Sequence, residues 1–234
     1  MSDFPPALAH IGIFASQYVE LDAGLTHHEL YTADGLLSLL WHHTAEPATA
    51  AVLYCGGALG GVLGPGGLFH QLGRELADAG VADGLRVGYR VPNDLDRCVI
   101  DTVAAAELAG SVGVERFVVV GHSFGGAVAI SAGVALGERC AGVVALATQT
   151  AGCEGGEALA ESKVPVLLIH GDADDILPHL ASQLVHMLTG GELVILPGVD
   201  HRFSGAVEDL RTRLIPWLSD RFDVDLTTPP DKPD

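Results

Sequence analysis

The chain has 234 residues, 48% hydrophobic and 18% charged, which suits one domain with a full core and is not a disordered composition. Its formal charge is −18 and its only lysines are Lys163 and Lys232, so nucleic acid and anionic lipid are poor partners, and the plain reading of the charge is solubility. The four cysteines form no C-x-x-C pair, and "MSDFPPALAH" lacks a basic region followed by an apolar core, so no secretory signal and a reduced, cytoplasmic setting are expected.

Residues 1–16 give no clear structural signal. "THHELYTADGLLSLLWHH" reads as a hairpin turning at Ala33-Asp34-Gly35, with His27, His28, His42 and His43 solvated on it. "AAVLYCGG" is an apolar run ending in glycines, as in a buried strand. "GPGGLFHQLGRELADAG" follows as a helix with Leu68, Leu72, Leu76 and Ala79 on one face and Gly80 at its stop. "LRVGYRVP" reads as a strand. A helix then starts near Asp94, with Leu95, Val99 and Val103 inward.

The order continues as strand "RFVVV", helix "GGAVAISAGVAL", strands "AGVVALAT" and "VPVLLIH", helix "PHLASQLVHML", strand "ELVILPG" and helix "GAVEDLRTRLIPWLSDRF". Residues 117–137 carry no formal charge and are long enough to span a membrane, but Gly-His-Ser-Phe-Gly-Gly in the middle marks a strand breaking into a helix instead. Apolar strands alternating with helices predict an α/β fold: a mostly parallel central sheet with helices on both faces. Residues 1–224 are expected to form that single domain, and the proline-rich, acidic 225–234 a disordered tail.

In such a sheet, ligands gather at the carboxyl ends of the strands. The polar residues that follow a strand directly are therefore the candidates. The first is Ser123, in Gly121-His122-Ser123-Phe124-Gly125. A sharp strand-to-helix turn strains the serine, and side chains two positions either side would collide, so glycines stand there. The backbone N–H of Phe124 then lies at a helix N-terminus, where it can face an oxyanion. The competing reading is a plain helix cap.

The second candidate is one of three carboxylates, Asp172, Asp174 and Asp175, in the turn after "VPVLLIH"; at least one of them serves only the turn. The third is His201, which among the later histidines follows a strand directly, whereas His179 and His186 fall on a helix. A serine needs such a base, in its neutral form, to lose its proton.

Serine, acid and histidine in this chain order, each after a separate strand, resemble the α/β-hydrolase superfamily over residues 25–222. "GHSFGG" resembles its nucleophile elbow, "HGDADDILP" its acid-bearing segment and "GVDHRF" its histidine loop. The resemblance makes Ser123 the nucleophile, Asp174 the acid and His201 the base. It also implies a second oxyanion donor after the strand ending at Cys55. Here the family's His-Gly-x reads Cys55-Gly56-Gly57-Ala58; Gly57 or Ala58 fits the donor's place, and Gly57 is preferred. The donor is a backbone N–H, so a cysteine in place of the histidine need not harm it.

"QTAGCEGGEALAESK" is too short to hold the cap domain many relatives insert, so an open site is expected. Its walls would be Leu59, Leu63, Phe124, Gln149, Thr150, Ile176, Leu177 and Phe203, with Leu59, Gln149 and Ile176 as the substrate-binding candidates. Ser rather than Asp at the elbow argues against dehalogenase or epoxide-hydrolase chemistry, and Ser rather than Cys against the dienelactone hydrolases. The resemblance thus implies cleavage of a small-acyl carboxylic ester through an acyl-enzyme, with no metal and no organic cofactor. A thioesterase, an amidase and a non-catalytic ligand-binding or interaction protein are the alternatives on the same fold.

Overall fold

The computed structural model describes residues 6–224. The predicted tail, residues 225–234, lies outside them. Nine strands form one sheet: β1 (Ile13–Asp22), β2 (Leu25–Thr32), β3 (Gly35–His42), β4 (Ala50–Cys55), β5 (Asp83–Gly88), β6 (Arg116–His122), β7 (Cys140–Leu146), β8 (Val166–Gly171) and β9 (Glu192–Leu196). Their spatial order is β1-β2-β3-β5-β4-β6-β7-β8-β9. The pairs from β1 to β3, and β3 with β5, are antiparallel; every pair from β5 to β9 is parallel.

The apolar runs are continuous because both faces of these strands are covered. In β4, Ala51, Leu53 and Cys55 enter one core, while Ala50, Val52 and Tyr54 enter the other. The first core lies under α1 (Pro6–His10), α3 (Leu95–Gly110) and α4 (Phe124–Leu136), the second under α2 (Leu68–Asp78) and α7 (Val207–Arg221). Two shorter helices, α5 (Glu157–Glu161) and α6 (Leu180–Thr189), complete the first layer. No cap domain stands over the sheet: β7 and β8 are joined by a short connection carrying only α5 among the described residues.

The chain passes from β4 through α2 to β5 on one side, then through α3 to β6 on the other side of β4. The sheet order therefore reverses at β4, and a crevice opens beyond the carboxyl ends of β4 and β6. Cys55-Gly56-Gly57 and His122-Ser123 end those two strands.

Three expectations change. The uninformative N-terminus contains α1 and the start of β1. β1 is an edge strand exposed at nearly every position, so its apolar residues mark no buried face to read. The inward face of α3 is Cys98, Asp101, Thr102, Ala105 and Ala109; Leu95, Val99 and Val103 are only half-buried. The small residues let α3 lie close, and Asp101 is buried because it accepts from the Arg90 amide at 2.8 Å and pairs with the Arg90 guanidinium. Asp94 caps this helix as expected, accepting from the Arg97 amide at 3.2 Å. The hairpin histidines are less solvated than expected, with His27, His28 and His43 half-buried and His42 buried. His42 is 3% exposed beneath α2, and His28, Trp41 and His43 lie ring against ring across β2 and β3.

Candidate active site

Ser123 follows β6 directly with φ +59°, a left-handed conformation that a side chain rarely adopts. Its amide donates to Leu146 O of β7 at 2.8 Å, and its carbonyl accepts from Gly126 at 2.9 Å, which holds the turn shut. There is no room for a side chain at either flank. A Cβ on Gly121 would strike the carbonyl of Gly125, and one on Gly125 would strike the carbonyls of Cys55 and Gly56. The serine is thus presented above the sheet at the N-terminus of α4, where the Phe124 amide has no partner within the helix.

His201 stands in the loop after β9. Asp200 fastens that loop by accepting from the amides of Arg202 and Ser204 at 3.1 and 2.8 Å. Phe203 is fully buried and anchors it in the core under α2 and α7. His201 Nε2 lies 3.0 Å from Ser123 Oγ, and His201 Nδ1 lies 2.7 Å from Asp174 Oδ2. A hydrogen-bonded chain from hydroxyl to imidazole to carboxylate joins three loops that follow three different strands.

Asp174 is the most constrained member. Oδ1 accepts from the amides of Ile176 and Leu177 at 2.9 and 2.8 Å, so this side chain also makes the turn. Oδ2 accepts from His201 and from His170 Nε2 at 3.0 Å. Burial raises its pKa, but the hydrogen bonds from the Leu177 amide, His201 and the Ile176 amide outweigh it, and the carboxyl is held below the usual range. Asp172 instead accepts from the Gly198 amide at 2.6 Å, tying the β8 loop to the β9 turn, and Asp175 is exposed.

Two histidines enter this site unannounced by the sequence reading. His170, at the end of β8, is wholly buried. Its Nδ1 accepts from Ser182 Oγ at 2.7 Å, which leaves the proton on Nε2 to face Asp174 Oδ2 and Leu177 O, each at 3.0 Å. Burial lowers its pKa and favours that neutral form. His122 Nε2 donates to the His201 carbonyl at 2.8 Å, with the two rings 5.0 Å apart. Its burial pushes the pKa down to about 4. The available signal for His170 was its place, at a strand end four residues before Asp174.

A cleft of about 650 Å³ opens over Ser123 and His201. Gly57, Leu59, Leu63 and Ile176 line it, together with His122 and Arg202. Gly57 lies against the serine: a Cβ built on it would sit 3.9 Å from Ser123 Cβ. Among the described residues the amides of Gly57 and Ala58 have no hydrogen-bond acceptor. Gln149 is not in the lining, because its Nε2 donates to Ala151 O at 2.8 Å and the side chain is held within its own loop. Phe124, Thr150, Leu177 and Phe203 are also absent from it, Phe124 and Phe203 because their side chains serve the core. Cys55 points away from the cleft, buried with Sγ 3.5 Å from Thr102 Oγ1, and burial raises its thiol pKa to about 11.

Among the described residues no group of His, Cys, Asp or Glu has the geometry to hold a metal ion, and no helix is long and apolar enough to cross a membrane.

A serine on a strained strand-to-helix turn, above a mostly parallel sheet without a cap, makes this chain an α/β hydrolase. It belongs to the phospholipase/carboxylesterase family, whose model matches residues 93–210, half of the chain, including Ser123, Asp174 and His201. Solved structures share the fold at low identity. Est1E from Butyrivibrio proteoclasticus superposes with a TM-score of 0.69 and 15% identity over 89% of this chain and 99% of its own. A dienelactone hydrolase from Anabaena variabilis gives 0.69 and 19% over 88% and 98%. XC6422 from Xanthomonas campestris, described as an α/β serine hydrolase without a lid, gives 0.62 and 20% over 92% and 100%. Comparison with curated proteins yields no significant match.

Proposed function

We propose that the protein hydrolyses small-acyl carboxylic esters through a Ser123–His201–Asp174 triad. The observation that carries this reading is the hydrogen-bonded chain Ser123 Oγ–His201 Nε2 at 3.0 Å and His201 Nδ1–Asp174 Oδ2 at 2.7 Å, at the floor of an open cleft. Neutral His201 takes the Ser123 proton as Oγ attacks the ester carbonyl. Asp174 keeps the other imidazole proton on Nδ1 and stabilises the imidazolium that forms. The amides of Phe124 and Gly57 receive the oxyanion. The imidazolium then protonates the departing alcohol, leaving an acyl group on Ser123. Water, deprotonated by His201, attacks that acyl group, and the carboxylic acid leaves as Oγ regains its proton. Leu59 and Ile176 supply apolar surface for the substrate.

A fluorophosphonate probe tests the nucleophile. It is expected to add once, to the peptide that contains Ser123, and Ser123→Ala is expected to lose both labelling and ester hydrolysis. Unchanged labelling of Ser123→Ala would displace the nucleophile, and a wild-type chain that neither labels nor hydrolyses esters would favour a ligand-binding role. A panel of matched ester, thioester and amide substrates ranks the scissile bond.

A further inference from the structure

Exposed apolar side chains gather at the mouth of the cleft and along one helix beside it. Leu59 is 99% exposed, and Leu63 and Ile176 are more than half exposed; all three line the cleft above Ser123. From Ile176 the chain turns into α6, whose outward positions are Leu180, Leu184, Met187 and Leu188. They follow the spacing of a single helical face, while Ala181, Ser182, Val185 and Thr189 form the buried face. A helix apolar on both sides normally sits inside a core. This one has solvent on its outer side, and its row of exposed apolar side chains begins at Leu180, four residues after Ile176 of the rim.

The charge pattern says what kind of surface this face meets. Residues 55–73 and 176–191 contain no Asp, Glu, Lys or Arg, in a chain with 30 acidic and 12 basic residues. The first stretch carries Leu59 and Leu63; the second carries Ile176 and all of α6. The first uncharged stretch thus forms one wall of the mouth, and the second supplies Ile176 at its rim and runs on into α6. Arg202 is the one Asp, Glu, Lys or Arg among the residues that line the cleft, so a densely charged partner would find little to pair with there, and the −18 net charge repels an anionic one. A second copy seated on Leu59 and Ile176 would close the mouth, whereas an aggregate of uncharged ester would feed it.

We propose that this face adsorbs to the surface of an uncharged, water-insoluble ester phase, with α6 as the anchor and the cleft mouth turned to the interface; the substrate class, though not the adsorption, rests on the esterase reading above. The acyl group of one ester molecule enters the cleft while the remainder stays in the aggregate. That matches an apolar rim over an open cleft with no cap domain.

The test uses tributyrin droplets, p-nitrophenyl acetate below its solubility limit, and the full chain with Leu184→Glu and Met187→Glu combined. Both side chains lie outside the cleft lining and face solvent, so hydrolysis of the dissolved ester is expected to stay within about twofold of wild type, which also reports that the variant is folded. Wild type is expected to float with the droplets and the variant to stay in the aqueous phase, with at least about a tenfold loss of tributyrin hydrolysis. Met187→Gln alone is expected to fall between the two. Equal flotation of wild type and double variant would overturn the proposal. So would a wild-type dimer in sedimentation that the double variant breaks, since a second copy would then cover the face. If wild type hydrolyses neither ester, the esterase reading fails, and flotation still decides adsorption without turnover.

Discussion

Asp174 carries two loads that its neighbours do not share, and an asparagine separates them. Its Oδ1 takes two amide protons from the turn, a role an amide oxygen keeps. Its Oδ2 faces two imidazole N–H groups, on His201 and His170, and there the asparagine NH₂ would meet donors only. His201 would then move its proton to Nε2 and could no longer accept from Ser123. Asp174→Asn is therefore expected to lower kcat by about 10³–10⁴ with KM nearly unchanged. Asp172→Asn keeps the triad and weakens the bond to the Gly198 amide, costing about 0.5–1.5 kcal/mol of stability with activity near wild type. Kinetics at saturating substrate beside thermal melts separates the two. A full-speed Asp174→Asn beside an inactive, well-folded Asp172→Asn would reverse the assignment.

At the scale of elements, the site depends on how closely α4 approaches the loop after β4. Gly125 makes that contact: its missing Cβ is where the carbonyls of Cys55 and Gly56 pass. The same contact sets the distance between the Phe124 and Gly57 amides, one on each side of it. Gly125→Ala is expected to push the two apart, costing on the order of 1–3 kcal/mol of stability. A small misplacement of both oxyanion donors is expected to lower kcat by about 10²-fold. An alanine variant with wild-type kcat would show that these amides do not act together. Gly133, which packs against Val143 further along α4, lies away from the site. Gly133→Ala is therefore the control that loses stability without a comparable loss of kcat in the folded fraction.

Over the whole molecule, buried histidines tie stability to pH. Burial pushes His122 down to about 4, and burial with the nearby Arg86 pushes His42 down to about 3. In the unfolded chain both titrate near the ordinary histidine value, about 6.5. Between that value and the folded one the unfolded state binds more protons, so stability is full above about pH 6.5 and falls as pH drops. The loss is on the order of 2 kcal/mol per histidine by pH 5. Asp174, with its lowered pKa, adds a loss only further down, as pH falls through the carboxylate range. The melting temperature is expected to decline from pH 7 to pH 5, and His42→Gln to decline less steeply. A flat profile over that range would show that these rings accept protons in the folded state.

What the sequence determined by itself was local. Ser123 was legible because strand, glycine, serine, glycine and small-residue helix are contiguous, and a backbone strain needs only its immediate neighbours to be explained. The sheet was legible because strands covered on both faces leave uninterrupted apolar runs, as in β4 and β6. The edge strand β1 was not, since an element exposed on both faces carries no pattern of burial. The choice among Asp172, Asp174 and Asp175, the pairing of His170 with Asp174, the removal of Gln149 and Phe203 from the cleft and the exposed outer face of α6 were decided by the tertiary structure. The bonds that join the site run from His201 back 27 residues to Asp174 and 78 residues to Ser123. Which carboxylate the imidazole meets depends on where β8 and β9 end beside each other, and only the folded sheet sets that.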